Sequence, residues 1–257
     1  MINIDGDQIS IAIDLDQGAR LASLQWRDME FVTKFNGDML RWGWYAMAPW
    51  AGRIKDGVVK NKKGEKFQLP TIFDPPNAIH GFGFYHSWQD LGGGKQMLEF
   101  PPPYDGASVT QSFEILDDAL RWSLEYESGG CDMPFSLGFH PWIARDIGRG
   151  DTAEVLFRAN KMFIRSNDFV PTGAFSSPPP QPWDDTFTEI IGVPEVVWPG
   201  AARLSIESDA PYWTVFTEHE EGVCLEPVTA PPNAQLLGVT GDSYIEALFT
   251  FSEDFNQ

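Results

Sequence analysis

Punctuation limits the fold of this chain more than any other feature: 24 Gly and 20 Pro are spread over 257 residues, and the runs between them are short and alternate with period two. Ile9, Ile11, Ile13 and Leu15 alternate with polar or small residues, and after the turn DQG, Ala22, Leu24 and Trp26 alternate again, which predicts a hairpin. Residues 58–69 (VVKNKKGEKFQL) place a Gly turn between two short extended runs, the pattern of a second hairpin. A third follows where Phe113 and Ile115, then Leu120, Trp122, Leu124 and Tyr126, flank LDDA. Extended runs continue through AEVLFRANKMFIR, ARLSIES, YWTVFTEHEEGVCLEP and SYIEALFTF. No helical pattern exceeds a couple of turns, and the Pro-rich stretch at residues 176–185 (SSPPPQPWDD) reads as a surface loop. Strand density is similar on both sides of that loop, so the expectation is one all-β, antiparallel domain over residues 1–257.

Charge narrows the partners. With 37 acidic against 18 basic residues the formal net charge is −19, which repels phosphate backbones and anionic lipid, so neither nucleic acid nor a membrane surface is expected as a partner. The opening MINIDGDQIS lacks the basic and apolar regions of a signal peptide, and no stretch approaches ~20 apolar residues; a cytoplasmic location is expected. Cys131 and Cys224 form no dense framework and are expected as reduced thiols.

Imidazole chemistry must draw on four histidines, at 80, 86, 140 and 219. His80 lies in PPNAIHGFGFYH, where prolines and glycines shape a loop able to reach a cleft. His140 ends FSLGFH, with Phe135, Leu137 and Phe139 on one strand face and Ser136, Gly138 and His140 on the other. Small neighbours there suggest room for a ligand, although a histidine at a strand end bonded to a loop is the blander reading. The same parity in GVCLEP sets Cys224 and Glu226 opposite Val223 and Leu225. Most acidic residues in so acidic a chain are solvated, and so is a typical loop arginine such as Arg53 in PWAGRIKDG. Ten tryptophans, among them Trp42, Trp44, Trp50, Trp142 and Trp183, offer aromatic faces suited to the C–H faces of sugars, although most belong in the core. His80 and His86 are six residues apart on an irregular loop with no second His-rich segment, so no metal site is expected.

Taken in order, PWAGRIKDG, NAIHGF, GFHPW, PWDDTF and LEPVTAPPNA resemble the aldose 1-epimerase or galactose mutarotase-like family, over about residues 49–234. Each motif is weak alone; five in order are specific. The resemblance implies a large antiparallel β-supersandwich and a cofactor-free isomerase acting on a small sugar. It implies that His80 and His140 line the sugar pocket, that Glu226 is the base, and that Arg53 and Asp184, or Asp185 beside it, hold sugar hydroxyls. Gly52 stands where family members often carry Asn, and Trp142 where many carry Tyr; both bear on the pocket wall and on sugar preference.

Mutarotation needs a base for the C1 hydroxyl proton and an acid for the ring oxygen, so that C1–O5 opens to the aldehyde and recloses on either face. The expected assignment is Glu226 as base, His140 as protonated acid with its pKa raised by that carboxylate, and His80 as a donor near the ring oxygen. Three rivals compete: an epimerase for a phosphorylated hexose, which needs converging Lys and Arg; a non-catalytic carbohydrate-binding protein; and a glycoside hydrolase using Asp184 and Glu226.

Overall fold

In the computed structural model of the chain, which describes residues 1–254, all three sequence hairpins form. Ile9–Asp14 pairs antiparallel with Arg20–Trp26 across the 3-10 turn Leu15–Gln17. Gly18 closes that turn at φ +79°, and a Cβ there would lie 2.2 Å from the Phe84 carbonyl oxygen, so both conformation and space demand glycine. Val58–Lys60 pairs with Lys66–Gln68, and Ser108–Leu116 pairs with Ala119–Glu127 without a register slip. Helix is scarce, as the turn-rich composition predicts: the one α-helix among the described residues is Ala234–Leu237.

Two large sheets dominate. A 12-stranded sheet runs in the order Ile2–Asp5, Ile9–Asp14, Arg20–Trp26, Trp44–Met47, Gly138–Pro141, Gly222–Val228, Tyr212–Phe216, Asp184–Ile190, Ala159–Arg165, Pro171–Ser176, with Met29–Glu30 and Ile143–Ala144 off this path. An eight-stranded sheet centres on Ala119–Glu127 and Tyr244–Glu253. Strand alternation sends one face of each sheet into a shared core. Trp44 packs on Phe249 with centroids 4.9 Å apart, Phe139 on Trp122 at 4.4 Å, and Phe31 edge-on to Trp198 at 5.0 Å. Trp42, Trp44, Trp50 and Trp183 are buried, as the composition suggested for most tryptophans.

The other face of the larger sheet is also covered. Val223 and Leu225 belong to the inter-sheet core, whereas Cys224, Tyr45, Met47 and Trp142 form a second, smaller apolar cluster on the far side. Every residue of Gly222–Val228 is therefore buried, which a simple one-sided alternation does not anticipate. The strand Gly138–Pro141 ends at its proline as expected, but Gly222–Val228 runs one residue past Pro227. Residues 177–183 form the expected loop, and Asp184 and Asp185 already belong to the next strand.

Candidate active site

Sheet register assembles the site. Tyr45 lies opposite His140, Glu226 opposite Thr214, and Thr214 opposite Thr186. The Gly138 to Val228 pairing, continued two residues antiparallel, sets His140 opposite Glu226. One row thus reads Tyr45, His140, Glu226, Thr214, Thr186 across five strands. In the adjacent row Cys224 faces Phe216 and Phe216 faces Asp184. Side chains two residues apart on a strand share a face, so both rows project away from the inter-sheet core.

His140 Nε2 lies 3.3 Å from Glu226 Oε1. Both are deeply buried, at 6% and 3% exposure, and His80 at 8% meets His140 edge-on with ring centroids 4.8 Å apart. The His140 ring is held between Tyr45, stacked at 4.5 Å, and Trp142, at 5.7 Å and 23°. Trp142 is fixed by its indole N–H, which donates to the Leu40 carbonyl at 2.6 Å. The small residues beside His140 do not leave ligand space, contrary to the sequence reading. A Cβ on Gly138 would lie 2.6 Å from Val228 Cγ1 and 2.9 Å from Met47 Cε, and Ser136 Oγ accepts the Ala51 N–H at 3.0 Å. The glycine serves close packing, and the open volume lies elsewhere around the ring.

His80 enters from the covering loop. Its φ of +57° is left-handed, its N–H donates to the Gly52 carbonyl at 3.0 Å, and Gly81 after it packs so that a Cβ would lie 2.0 Å from Ala48 O. Gly52 is itself at φ +68°, and a Cβ there would meet Pro232 at 2.5 Å, which explains glycine at this position.

These groups border a cavity of about 400 Å³, within the range of small-molecule pockets. All six sequence-predicted residues, Arg53, His80, His140, Trp142, Asp184 and Glu226, line it, and Asp185 does not. Arg53 Nε donates to Asp74 at 2.8 Å, and Arg165 clamps Asp184 at 3.0 Å through NH1 and Asp185 at 2.9 Å through Nε. Arg41 pairs with Asp38 at 3.3 Å at the same cavity. The sequence reading missed Asp74, Arg165, Phe169, Thr186 and Thr214. Arg165 ends an apolar run as an ordinary strand-end charge, and only the register that sets it near Asp184 gives it meaning. A larger groove of about 820 Å³ carries Glu189, Glu207, Asp209, Asp242 and Glu246 but no histidine, and lies away from this constellation.

Burial decides the protonation of the pair. It pushes the Glu226 carboxyl well above its ordinary range, with nearby Asp184 acting in the same direction and Arg53 opposing. His140 is pushed down to about 3, first by burial and then by Arg20. The expectation that a carboxylate raises His140 therefore fails: a carboxyl neutralised by its own burial has no charge with which to raise it. Arg20 is the missed participant. It is fully buried, donates to the carbonyls of Gln17, Met39, Trp42 and Phe84 at 2.5 to 3.1 Å, and lies over the rings of Trp42 and Tyr45. A fixed cation thus stands behind the Tyr45 ring on which His140 stacks. His80 is held well below its usual value by burial, with His140 and Arg53 adding to it. The Nδ1 atoms of His80 and His140 are buried without a protein partner. His140, Cys224 and Glu226 each offer a ligand atom within 4.8 Å of the others, so this is the one place among the described residues with the donor set for a divalent ion.

No protein-family model matches the sequence, and no curated protein matches it. Solved structures do. An aldose 1-epimerase candidate from Escherichia coli K12 superposes with a TM-score of 0.81 at 17% identity, covering 98% of both chains. A GalM/aldose epimerase homologue from C. elegans gives 0.80 at 17% identity over 99% of both chains, and a galactose mutarotase-like protein from Clostridium acetobutylicum gives 0.77 at 15%, over 99% of this chain and 95% of that one. At such identities the likeness speaks for architecture. The chain has the galactose mutarotase-like fold over nearly its whole length.

Proposed function

We propose that this protein is an aldose 1-epimerase acting on a free, neutral aldose, with Glu226 and His140 as the proton-transferring pair. The observation that carries the reading is the 3.3 Å contact between His140 Nε2 and Glu226 Oε1 at a polar cavity of about 400 Å³, within a fold shared with proteins named as epimerases and mutarotases.

The pair holds one proton. Burial keeps it on Glu226, with both groups neutral. Transfer across the contact gives a carboxylate and an imidazolium, each strongly reactive because the surroundings disfavour both charges. Glu226 then takes the proton of the C1 hydroxyl as His140 gives its proton to the ring oxygen. The C1–O5 bond breaks, the C1=O bond forms, rotation about C1–C2 turns the aldehyde, and the reverse transfers close the other anomer. The positive charge of Arg20 makes the imidazolium a stronger acid, and proton transfer by positioned groups contributes about 10²–10⁴-fold each. Neutral His80 donates a hydrogen bond near the ring oxygen. Arg53 and Asp184 bind hydroxyls as donor and acceptor, and Trp142 fixes the His140 ring and forms pocket wall.

Charge balance favours a neutral sugar over a phosphorylated one. Each arginine lining the cavity is already paired with a carboxylate, and a phosphate dianion would meet Asp38, Asp74 and Asp184 alongside those guanidinium groups. Lys55, the other basic residue of the matched motifs, is engaged with Asp168 at 2.7 Å. A bare binding protein has no use for a buried proton-sharing pair, and two-carboxylate hydrolysis does not explain the two histidines.

The test is polarimetry of freshly dissolved α-glucose and α-galactose, with and without inorganic phosphate. Faster relaxation toward anomeric equilibrium, insensitive to phosphate, is the expected result. No acceleration of either sugar, with acceleration of a hexose 6-phosphate, would assign the phosphorylated substrate instead.

A further inference from the structure

Three donor atoms of the kind that soft divalent ions bind meet at the cavity floor. His140 Nε2, Cys224 Sγ and a Glu226 carboxylate oxygen all lie within 4.8 Å of one another, and all three residues are buried. Neighbouring strands in the middle of the 12-stranded sheet carry them. Cys224 and Glu226 sit two residues apart on Gly222–Val228, and Gly138–Pro141 brings His140 beside Glu226. Donors on paired strands are held more rigidly than donors on loops. His140 and Glu226 line the cavity, whereas Cys224, with no exposed surface, stands behind them. An ion arriving through the cavity meets the imidazole and the carboxylate first and the sulfur last, and its remaining position opens towards the cavity.

The distances and the donors fit one class of ion. A tetrahedral zinc ion with bonds of about 2.0–2.1 Å to nitrogen and oxygen holds those two atoms about 3.3–3.4 Å apart. His140 Nε2 and Glu226 Oε1 are already 3.3 Å apart. With a zinc–sulfur bond of about 2.3 Å the nitrogen–sulfur edge is about 3.6 Å. From a separation of no more than 4.8 Å, Sγ reaches that edge by moving about 1.2 Å at most, a small turn about the one side-chain torsion of a cysteine. Thiolate and imidazole select a zinc-like ion over magnesium or calcium, which take oxygen donors. One thiolate and one carboxylate balance the two charges of the ion, so the bound group is neutral where burial penalises charge. Asp184 shares the row of Cys224 on this face, and Arg53 and Arg165 at the cavity already have carboxylate partners. His140 Nδ1 has no protein partner, so the outer support that strengthens metal sites by about 10–100-fold is missing there, and the Arg20 cation behind Tyr45 weakens binding further. Such a site binds its ion reversibly.

We infer that His140, Cys224 and Glu226 form an inhibitory site for zinc ion; the binding rests on geometry, and the inhibition rests on the epimerase reading. Binding sends the thiol proton of Cys224 and the carboxyl proton of Glu226 to solvent and occupies the Nε2 lone pair of His140. No base is left for the C1 hydroxyl, and no acid for the ring oxygen.

The experiment adds cobalt chloride, as a coloured substitute, and separately zinc chloride to wild type, Cys224→Ala and Cys131→Ala, each stripped with EDTA, desalted and checked by thermal melting. Cobalt gives wild type and Cys131→Ala the near-ultraviolet charge-transfer band of a thiolate ligand, and gives Cys224→Ala none. Zinc chloride at about 10 µM slows the polarimetric relaxation of α-glucose about tenfold in wild type and less than about twofold in Cys224→Ala, each against the same protein without zinc, and EDTA restores the wild-type rate. Absence of the thiolate band in wild type, or a band that follows Cys131 instead, overturns the site and leaves the epimerase reading in place. A rate raised by zinc overturns the inhibition. A band with no acceleration of α-glucose by the zinc-free protein overturns the epimerase reading, and the inhibition with it, while supporting the ion site.

Discussion

The two faces of the 12-stranded sheet are equally buried and differ in almost everything else. Towards the eight-stranded sheet, Trp44, Phe139, Val223 and Leu225 meet apolar partners, and no group there needs a proton or a charge. On the opposite face, displaced by a single residue along the same strands, Tyr45, His140, Cys224 and Glu226 are covered by loops carrying Gly52, His80 and Phe84. The first face is stabilised by burial; on the second, burial works against ionisation, so that a carboxyl and an imidazole are both held neutral. One strand parity separates scaffold from chemistry.

Substitutions on the two faces should break different properties. The largest effect belongs to the cavity face: His140→Gln should lower kcat for mutarotation by about 10²–10⁴-fold while the melting transition stays cooperative. On the core face, Phe139→Ala removes the ring packed on Trp122 and should cost about 3–5 kcal/mol in urea unfolding, with kcat per folded molecule little changed. Comparable losses of stability from both substitutions would erase the distinction.

Arg165→Ala should act between these extremes. It frees Asp184 and Asp185 from their shared partner, and KM should rise about tenfold with a smaller change in kcat, as expected when an ordering ion pair is lost.

The pH dependence of stability follows from the same face. His140 is depressed below its unfolded value of about 6.5, so its contribution is lost as pH falls from there towards 3. Glu226 is raised above its unfolded value, so its contribution is present at low pH and is lost as pH rises from about 4.5 towards its folded pKa. Glu226→Gln abolishes the second loss. Its stability relative to wild type should therefore improve with rising pH, by up to about 1.4 kcal/mol per pH unit, in urea titrations between pH 5 and 8. The smallest effect expected is that of chelation. Activity should survive EDTA, and loss on chelation restored by a divalent ion would make an ion at His140, Cys224 and Glu226 a cofactor instead of an inhibitor.

How far the sequence could be read differs between the faces for a physical reason. Hairpins and the core face are written locally, in alternation and in turn residues such as Gly18, and these were readable directly. His140 and Glu226 could be nominated by strand parity, and the ordered motifs brought in His80, Arg53, Asp184 and Trp142. What alternation could not supply was depth. It placed Glu226 on a polar face without revealing that loops from residues 48–85 cover that face, and so the protonation of the pair came out reversed. Arg20 and Arg165 were invisible because their meaning lies in partners 19 or more residues away, Trp42 and Phe84 for the one and Asp184 for the other.

The central claim, that one buried proton shared by Glu226 and His140 opens the sugar ring, is tested most directly by the polarimetric relaxation of α-glucose with wild type beside Glu226→Gln at equal folded concentration. The account predicts acceleration by wild type and a rate indistinguishable from the uncatalysed reaction with the variant. Equal acceleration by both proteins would contradict it.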